Sequence, residues 1–280
     1  MTEPRDRPVL YHSEMSPCAA KVRMLLSDKG IEWESRLLDL RAGDAQKPDY
    51  VELNPNKVVP TLVVGSDVVI ESNIILEYIE DRWPTPSVRP SKPAQVAQMR
   101  LWMKRLDDGI HAATATVSVC IALRYQFLNR TPQELQHWLE NISDPARRIR
   151  SKAAIEQGMD APQFTEAVLK LRDLYRDFDD TLAKHEFLAG GSYSLADLAF
   201  SPYLLRFEQL GFCELTAARP RIVEWSRRLF DRPSYKAGVI DFLNPGAVAL
   251  FEREAPEARM HIAEILERNA IPARTEGLSR

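Results

Sequence analysis

The residues best suited to chemistry fall in three short groups. They are Ser16 and Cys18 in Met15-Ser-Pro-Cys-Ala-Ala-Lys-Val-Arg23, Val59 and Pro60 in Lys57-Val-Val-Pro-Thr-Leu62, and Glu71 and Ser72 ahead of an apolar run. A serine followed by proline marks a helix start. The hydroxyl accepts a hydrogen bond from the first turn, and proline lacks only the N–H that would go unpaired there. The remaining free N–H groups and the positive dipole end stabilise an anion or a thiolate. Ser16 is therefore suited to holding a thiolate, and Cys18 to being one. Taken alone, the stretch reads equally as a plain cap followed by a small buried thiol.

These groups need a scaffold, and the flanking residues describe one. Val9 to His12 is a short apolar strand, and Val22, Leu25 and Leu26 recur at helical spacing behind Ser16. Glu32 to Leu40 alternates as a second strand, and a charged segment runs from Arg41 to Asp49. Two β-branched runs separated by Gly65-Ser-Asp67 form a hairpin. Pro60 heads the first run, where no ladder N–H is required, and fits a cis peptide after Val59. An amphipathic helix follows, capped by Ser72 or Asn73 and ending at Trp83-Pro84. In such α/β units, ligands bind where strands give way to turns and helices, which is where all three groups sit.

Prolines 84, 86, 90 and 93 then form a stiff linker, and the rest reads as helix. Residues 94–127 make one long helix or two in line; a polar excursion at 129–162 carries helical fragments at 134–140 and 146–156; and 163–184 is strongly periodic. Ser194-Leu-Ala-Asp197 is a capping box, with Tyr193 and Leu198 as its staple, and is expected to serve folding rather than chemistry. A helix at 221–229 and an appendix broken at Asn244-Pro-Gly246, helical from 248 to 268, complete the chain. The expected domains are 8–84, a linker at 85–93, and 94–280.

Composition narrows the function. A net charge of −3, with no basic cluster interleaved with aromatics, argues against nucleic acid. The longest apolar stretch, 112–123, falls short of the roughly 18 residues of a membrane span and reads as core helix. The charged N-terminus has no signal-like apolar core, which suits a cytoplasmic protein. Three cysteines far apart and five scattered histidines support neither disulfides nor a metal site. No phosphate-cradling glycine motif and no hydrolase elbow is present.

The Ser16-Pro-Cys18 turn, the Val59-Pro60 segment, Glu71-Ser72 and the Ser194/Asp197 box, in this order and at these spacings, resemble a cytosolic glutathione transferase over roughly residues 8–240. The resemblance implies an α/β plus all-α fold: an N-terminal thioredoxin-like βαβ-ββα domain, then an all-helical domain. It implies glutathione as co-substrate, with Ser16 donating a hydrogen bond to its sulfur. Val59, held by cis Pro60, would pair with the cysteinyl backbone, Ser72 would bind the γ-glutamyl carboxylate, and Glu71 the amino group. Many members carry a basic or amide side chain where Val58 stands, which leaves Lys57 to reach the glycyl carboxylate. The resemblance also implies a homodimer and a hydrophobic electrophile. Its pocket would be lined from Trp102, Leu106, His111 and Tyr125, with Phe207 and the appendix closing it; His111 otherwise reads as a partly exposed helix residue.

Met15-Ser-x-Cys18 with Val58-Val-Pro-Thr-Leu-Val-Val-Gly65 is similar to the zeta-like reductive dehalogenases, and the excursion and long C-terminus to lignin β-aryl etherases. Both imply an aromatic or aryl-ether electrophile, in detoxification or aromatic catabolism. Two alternatives are carried: a glutathione-dependent reductase or dehalogenase using Cys18, and a non-catalytic protein binding glutathione or a partner. Position favours Ser16, with Cys18 pointing sideways or into the core.

Overall fold

The computed structural model describes residues 7–142 and 144–270. The N-terminal unit holds strands β1 (Val9–His12), β2 (Glu34–Leu37), β3 (Thr61–Val64) and β4 (Asp67–Ile70), ordered β2-β1-β3-β4. β1 is parallel to β2 and antiparallel to β3, which is antiparallel to β4. Helices α1 (Pro17–Asp28) and α3 (Ser72–Arg82) pack their buried Val22, Leu25, Leu26, Ile75, Leu76 and Ile79 with Leu10, Leu62 and Val64 of the sheet.

The segment taken from sequence as a charged connection also contains a helical turn at Asp44–Gln46 and α2 (Pro48–Leu53). At six residues α2 is too short to show periodicity. Its anchor is buried Tyr50, whose hydroxyl donates to the Val58 carbonyl at 2.5 Å and lies 2.9 Å from Thr61 Oγ1. The loop before Pro60 is thereby pinned from behind.

The linker is fixed as well as stiff. Buried Lys29 pairs with Glu80 at 2.8 Å and donates to the carbonyls of Trp83 and Pro86, while Glu80 accepts from the Val88 N–H. The run from Pro93 to Leu128 is α4 (Pro93–Arg105), α5 (His111–Ser118) and α6 (Arg124–Leu128), joined by wider π turns at Leu106–Ile110 and Val119–Leu123. Gly109, at φ 133°, permits the first of these. By length and composition this run could cross a bilayer, but Met99, Trp102, Met103, Leu106, Val117 and Ile121 are core here. The excursion forms α7 (Pro132–Glu140) and α8 (Pro145–Gln157). The long α9 (Pro162–Leu182) and the deeply buried α10 (Leu195–Gln209) follow. Then come α11 (Cys213–Ala217), α12 (Pro220–Phe230), α13 (Pro233–Gly238) and α14 (Pro245–Arg268).

One buried cation binds the two halves beneath the Ser16 loop. Arg23 donates to the carbonyls of Gly238, Ser13 and Glu14 and to His12 Nδ1, with its guanidinium 4.0 Å from the centre of the Phe242 ring. Because Arg23 can only donate, His12 Nδ1 is the acceptor and Nε2–H donates to Ser35 Oγ at 2.7 Å. Burial, and then the Arg23 charge, pull His12 from 6.5 down to about 4. As pH falls, the unfolded chain protonates this residue first, so its contribution is intact above about 6.5 and lost towards 4, about 3 kcal/mol in all. Urea midpoints at about pH 7 and about pH 4.5 should diverge more in the parent protein than in His12→Gln; equal divergence would refute the assignment.

Candidate functional site

Sheet register brings the three sequence groups to one end of the sheet. Tyr11 pairs with Thr61 and Thr61 with Ile70, so His12, the last residue of β1, lies level with Pro60 and Glu71, where β3 begins and β4 ends. From there His12 leads to Ser16 and Glu71 into α3.

Ser16 is the cap of α1: its Oγ accepts from the Ala19 N–H at 3.2 Å, with Pro17 as the first helical residue. With its acceptor side on the helix, the hydroxyl hydrogen finds no acceptor among the described residues. The Val59–Pro60 peptide is cis, both residues are buried, and Val59 lies just before β3. Lys57 is exposed with φ 57°, and no described contact holds its side chain.

At α3 the structure corrects the expected cap. Ser72 and Asn73 are already helical, and the capping position belongs to Glu71, which has φ 67° and makes no side-chain capping bond. The reason lies in Asn73, whose amide is committed elsewhere: it accepts from Lys21 Nζ at 2.6 Å and donates to the Met103 carbonyl and the Asp107 carboxylate. The first turn of α3 is left without a side-chain cap, a ready site for a carboxylate. Glu71 itself accepts from Asn56 at 3.2 Å, beside that turn.

Of the two orientations expected for Cys18, the structure has the sideways one, not the core. Half-buried, its Sγ faces the helical domain, 3.4 Å from Tyr203 Oη on α10 and 3.6 Å from His111 Nδ1 on α5, which are 2.9 Å from each other. Burial opposes ionisation of this thiol. The charge and hydrogen bond of His111, the charge of Lys21 and the Tyr203 hydroxyl outweigh it and bring Cys18 from 9.0 down to about 6. His111 is raised in turn, chiefly by the Cys18 charge. Cys120 supplies the contrast: burial, with the Arg124 charge only partly opposing, pushes it up to about 12.

Other expected pocket residues divide. Trp102 is a core ring, stacked on Phe178 at 5.3 Å and edge-on to Phe200, that borders a separate polar surface hollow with Lys104, Arg105 and Asp177, and Leu106 and Phe207 are fully buried, so none of these three lines a cleft at Ser16. Their helical spacing marked a core face rather than a cleft. Tyr125 is half-buried between Arg124 and Arg253 of α14. The appendix does reach the site: the Asn244 N–H contacts Met15 Sδ at 3.3 Å and its amide donates to Glu14 at 2.9 Å. A small cleft beside Ser16 is lined by Met15, Pro202, Arg206 and Leu243, and buried Arg206 donates to the Met15 carbonyl. Sequence reasoning missed Tyr203 and Lys21, which read as an ordinary core aromatic and an ordinary helix cation.

The family models of the glutathione S-transferase N-terminal and C-terminal domains match residues 15–82 and 142–233. A tetrachloro-p-hydroquinone reductive dehalogenase of Sphingobium chlorophenolicum is 28% identical over 236 residues, covering 81% of this chain and 93% of that protein. A stringent starvation protein A homologue of Coxiella burnetii is 24% identical, covering 82% and 90%. Among solved structures, the β-etherase LigF of Sphingobium sp. SYK-6 superposes with a TM-score of 0.74 at 25% identity, covering 82% of this chain and 98% of that one. The chain belongs to the glutathione S-transferase family.

Proposed function

We propose that this protein holds glutathione as a thiolate at Ser16 and delivers it to a hydrophobic, aromatic or aryl-ether electrophile. The observation that carries this reading is the convergence, at one end of the sheet, of the Ser16 cap, the Val59–cis-Pro60 edge and the uncapped start of α3 at Glu71-Ser72. A hydroxyl and a helix N-terminus around a thiol lower its pKa and raise the nucleophile present at neutral pH. Ser72 and the bare N–H groups bind the γ-glutamyl carboxylate, Glu71 the amino group, Val59 the cysteinyl backbone and exposed Lys57 the glycyl carboxylate. The aromatic leaning rests on likeness to the LigF β-etherase and the hydroquinone dehalogenase. On this reading the protein serves detoxification or aromatic catabolism in the cytoplasm, a setting in which the free Cys18, Cys120 and Cys213 stay reduced.

Retention on immobilised glutathione with turnover of an activated aryl halide is the expected result; neither retention nor turnover would sink the proposal. Retention without turnover would instead favour the non-catalytic reading. A second catalytic reading, reductive chemistry through Cys18, is favoured by the contacts of that thiol with His111 and Tyr203.

The working form is proposed to be a two-fold dimer. Ile74 on α3, 59% exposed, and Leu101 on α4, 58% exposed, are the apolar anchors proposed for it, on two helices that the Glu77–Arg100 pair joins. Sedimentation of the parent protein as a monomer would reject this.

A further inference from the structure

We propose that His111 and Tyr203 are positioning residues of Cys18, and that the three side chains form a second thiolate site beside the one at Ser16. This deepens the Cys18 reading above and depends on it only for its use with glutathione. The cluster is assembled across the domain boundary from three elements: Cys18 on α1, His111 on α5 and Tyr203 on α10. Its geometry is closed, since each polar atom lies within contact of the other two.

The proton has one consistent placement. It leaves Cys18 Sγ for His111 Nδ1, which then donates towards the sulfur and the Tyr203 oxygen, while the Tyr203 hydroxyl donates to the sulfur at 3.4 Å. Every donor in the cluster then faces the anion. Tyr203 is wholly buried, so its hydroxyl has no water to turn to and fixes the edge of the imidazole that it meets. His111 keeps an exposed surface, through which its proton exchanges with solvent.

The other charges around the cluster do not replace this partner. Lys21, also on α1, is buried near the sulfur and opposes the charge on His111, but its Nζ donates to Asn73; the Asp107 carboxylate acts on Lys21, His111 and Tyr203 alike, and that of Glu71 on Lys21. Arg206 acts on Tyr203 from α10 but spends its hydrogen bonds on the Met15 carbonyl and Gln209. A thiol with Lys21 alone would have a charge nearby but no base to receive its proton.

The test is the pH dependence of alkylation of the full chain by iodoacetamide, in which the thiolate displaces iodide. It is read at the Cys18 peptide by mass spectrometry, so that Cys120 and Cys213 do not contribute. The parent protein should reach its alkylation plateau below neutral pH. His111→Gln should move the midpoint upward by about one unit or more, lowering the rate at about pH 5 roughly tenfold, with the rate at high pH unchanged. Tyr203→Phe, which keeps the ring, should move it the same way by less. Superimposable profiles for the parent protein and folded His111→Gln would overturn the proposal, as would a larger shift from Lys21→Met than from His111→Gln. Because no glutathione enters this measurement, failure to bind glutathione would remove the functional reading and leave this one standing.

Discussion

Ser16→Ala should lower kcat/KM for conjugation of glutathione to an aryl electrophile by about 10- to 100-fold, while Cys18→Ala retains most of it. The Ser16 oxygen is occupied by the Ala19 N–H, which leaves its hydrogen free to meet a sulfur. Loss of that donor raises the thiol pKa and weakens the thiolate's hold at the same time. The substitution also removes a helix cap, worth about 1 kcal/mol, so stability and activity must be separated. Ser16→Asp does so. A carboxylate caps the helix as well as the hydroxyl but cannot donate, and its charge repels a thiolate. Ser16→Asp should therefore unfold at close to the parental temperature and be as inactive as Ser16→Ala. The opposite pattern, with activity surviving at Ser16→Ala and vanishing at Cys18→Ala, would transfer the reaction to Cys18 and make reduction its class.

The largest stability effect is expected at Asp197. From sequence, this residue is the third position of a capping box, and Asp197→Ala would cost roughly 1 kcal/mol or more. In the structure its carboxylate is fully buried and accepts four hydrogen bonds: from the Ser194 N–H and hydroxyl, the Leu188 N–H and the Trp225 indole N–H. Burial raises its pKa, but these donors oppose that. Removal leaves several buried donors unpaired at about 1–3 kcal/mol each, so a loss of about 4 kcal/mol is expected in urea unfolding. Asp197→Asn keeps one acceptor oxygen but turns an amide towards other donors, and should fall in between. A loss under about 1 kcal/mol for Asp197→Ala would mean that the cap is all this residue does. The neighbouring Tyr193 widens the same joint: its hydroxyl donates to Asp28 at the end of α1, under the Arg232 guanidinium.

The two cases show where local reading succeeds. Ser16-Pro17 and Ser194/Asp197 were legible because a cap is decided within four residues by which side chain can satisfy a free N–H. Pro60 was legible because a proline heading a strand has few places to stand, and the linker because four prolines in close succession admit little else. Where a local signal had competitors, it misled. Asn73 has the chemistry of a cap, but Lys21 and Asp107 claim its amide, and the cap is lost to a Glu71 backbone that leaves α3 open. Trp102 sits at a spacing that suits a cleft as well as a core, and the Phe178 and Phe200 rings decide for the core.

By itself, then, the sequence determined the order of elements, the start of α1 at Ser16, the edge at Val59–Pro60 and the family. The first three follow from short-range sterics, hydrogen bonding and periodicity, and the family from the resemblance that these motifs carry in their order. Only the tertiary structure decided what Cys18 meets. Its partners lie 93 and 185 residues away, on two helices whose placement depends on Arg23 and Asn73 joining the domains and on Lys29 fixing the linker between them. A thiol's ionisation is set by charges within a few ångströms, and no pattern along the chain reports which residues packing will bring that close.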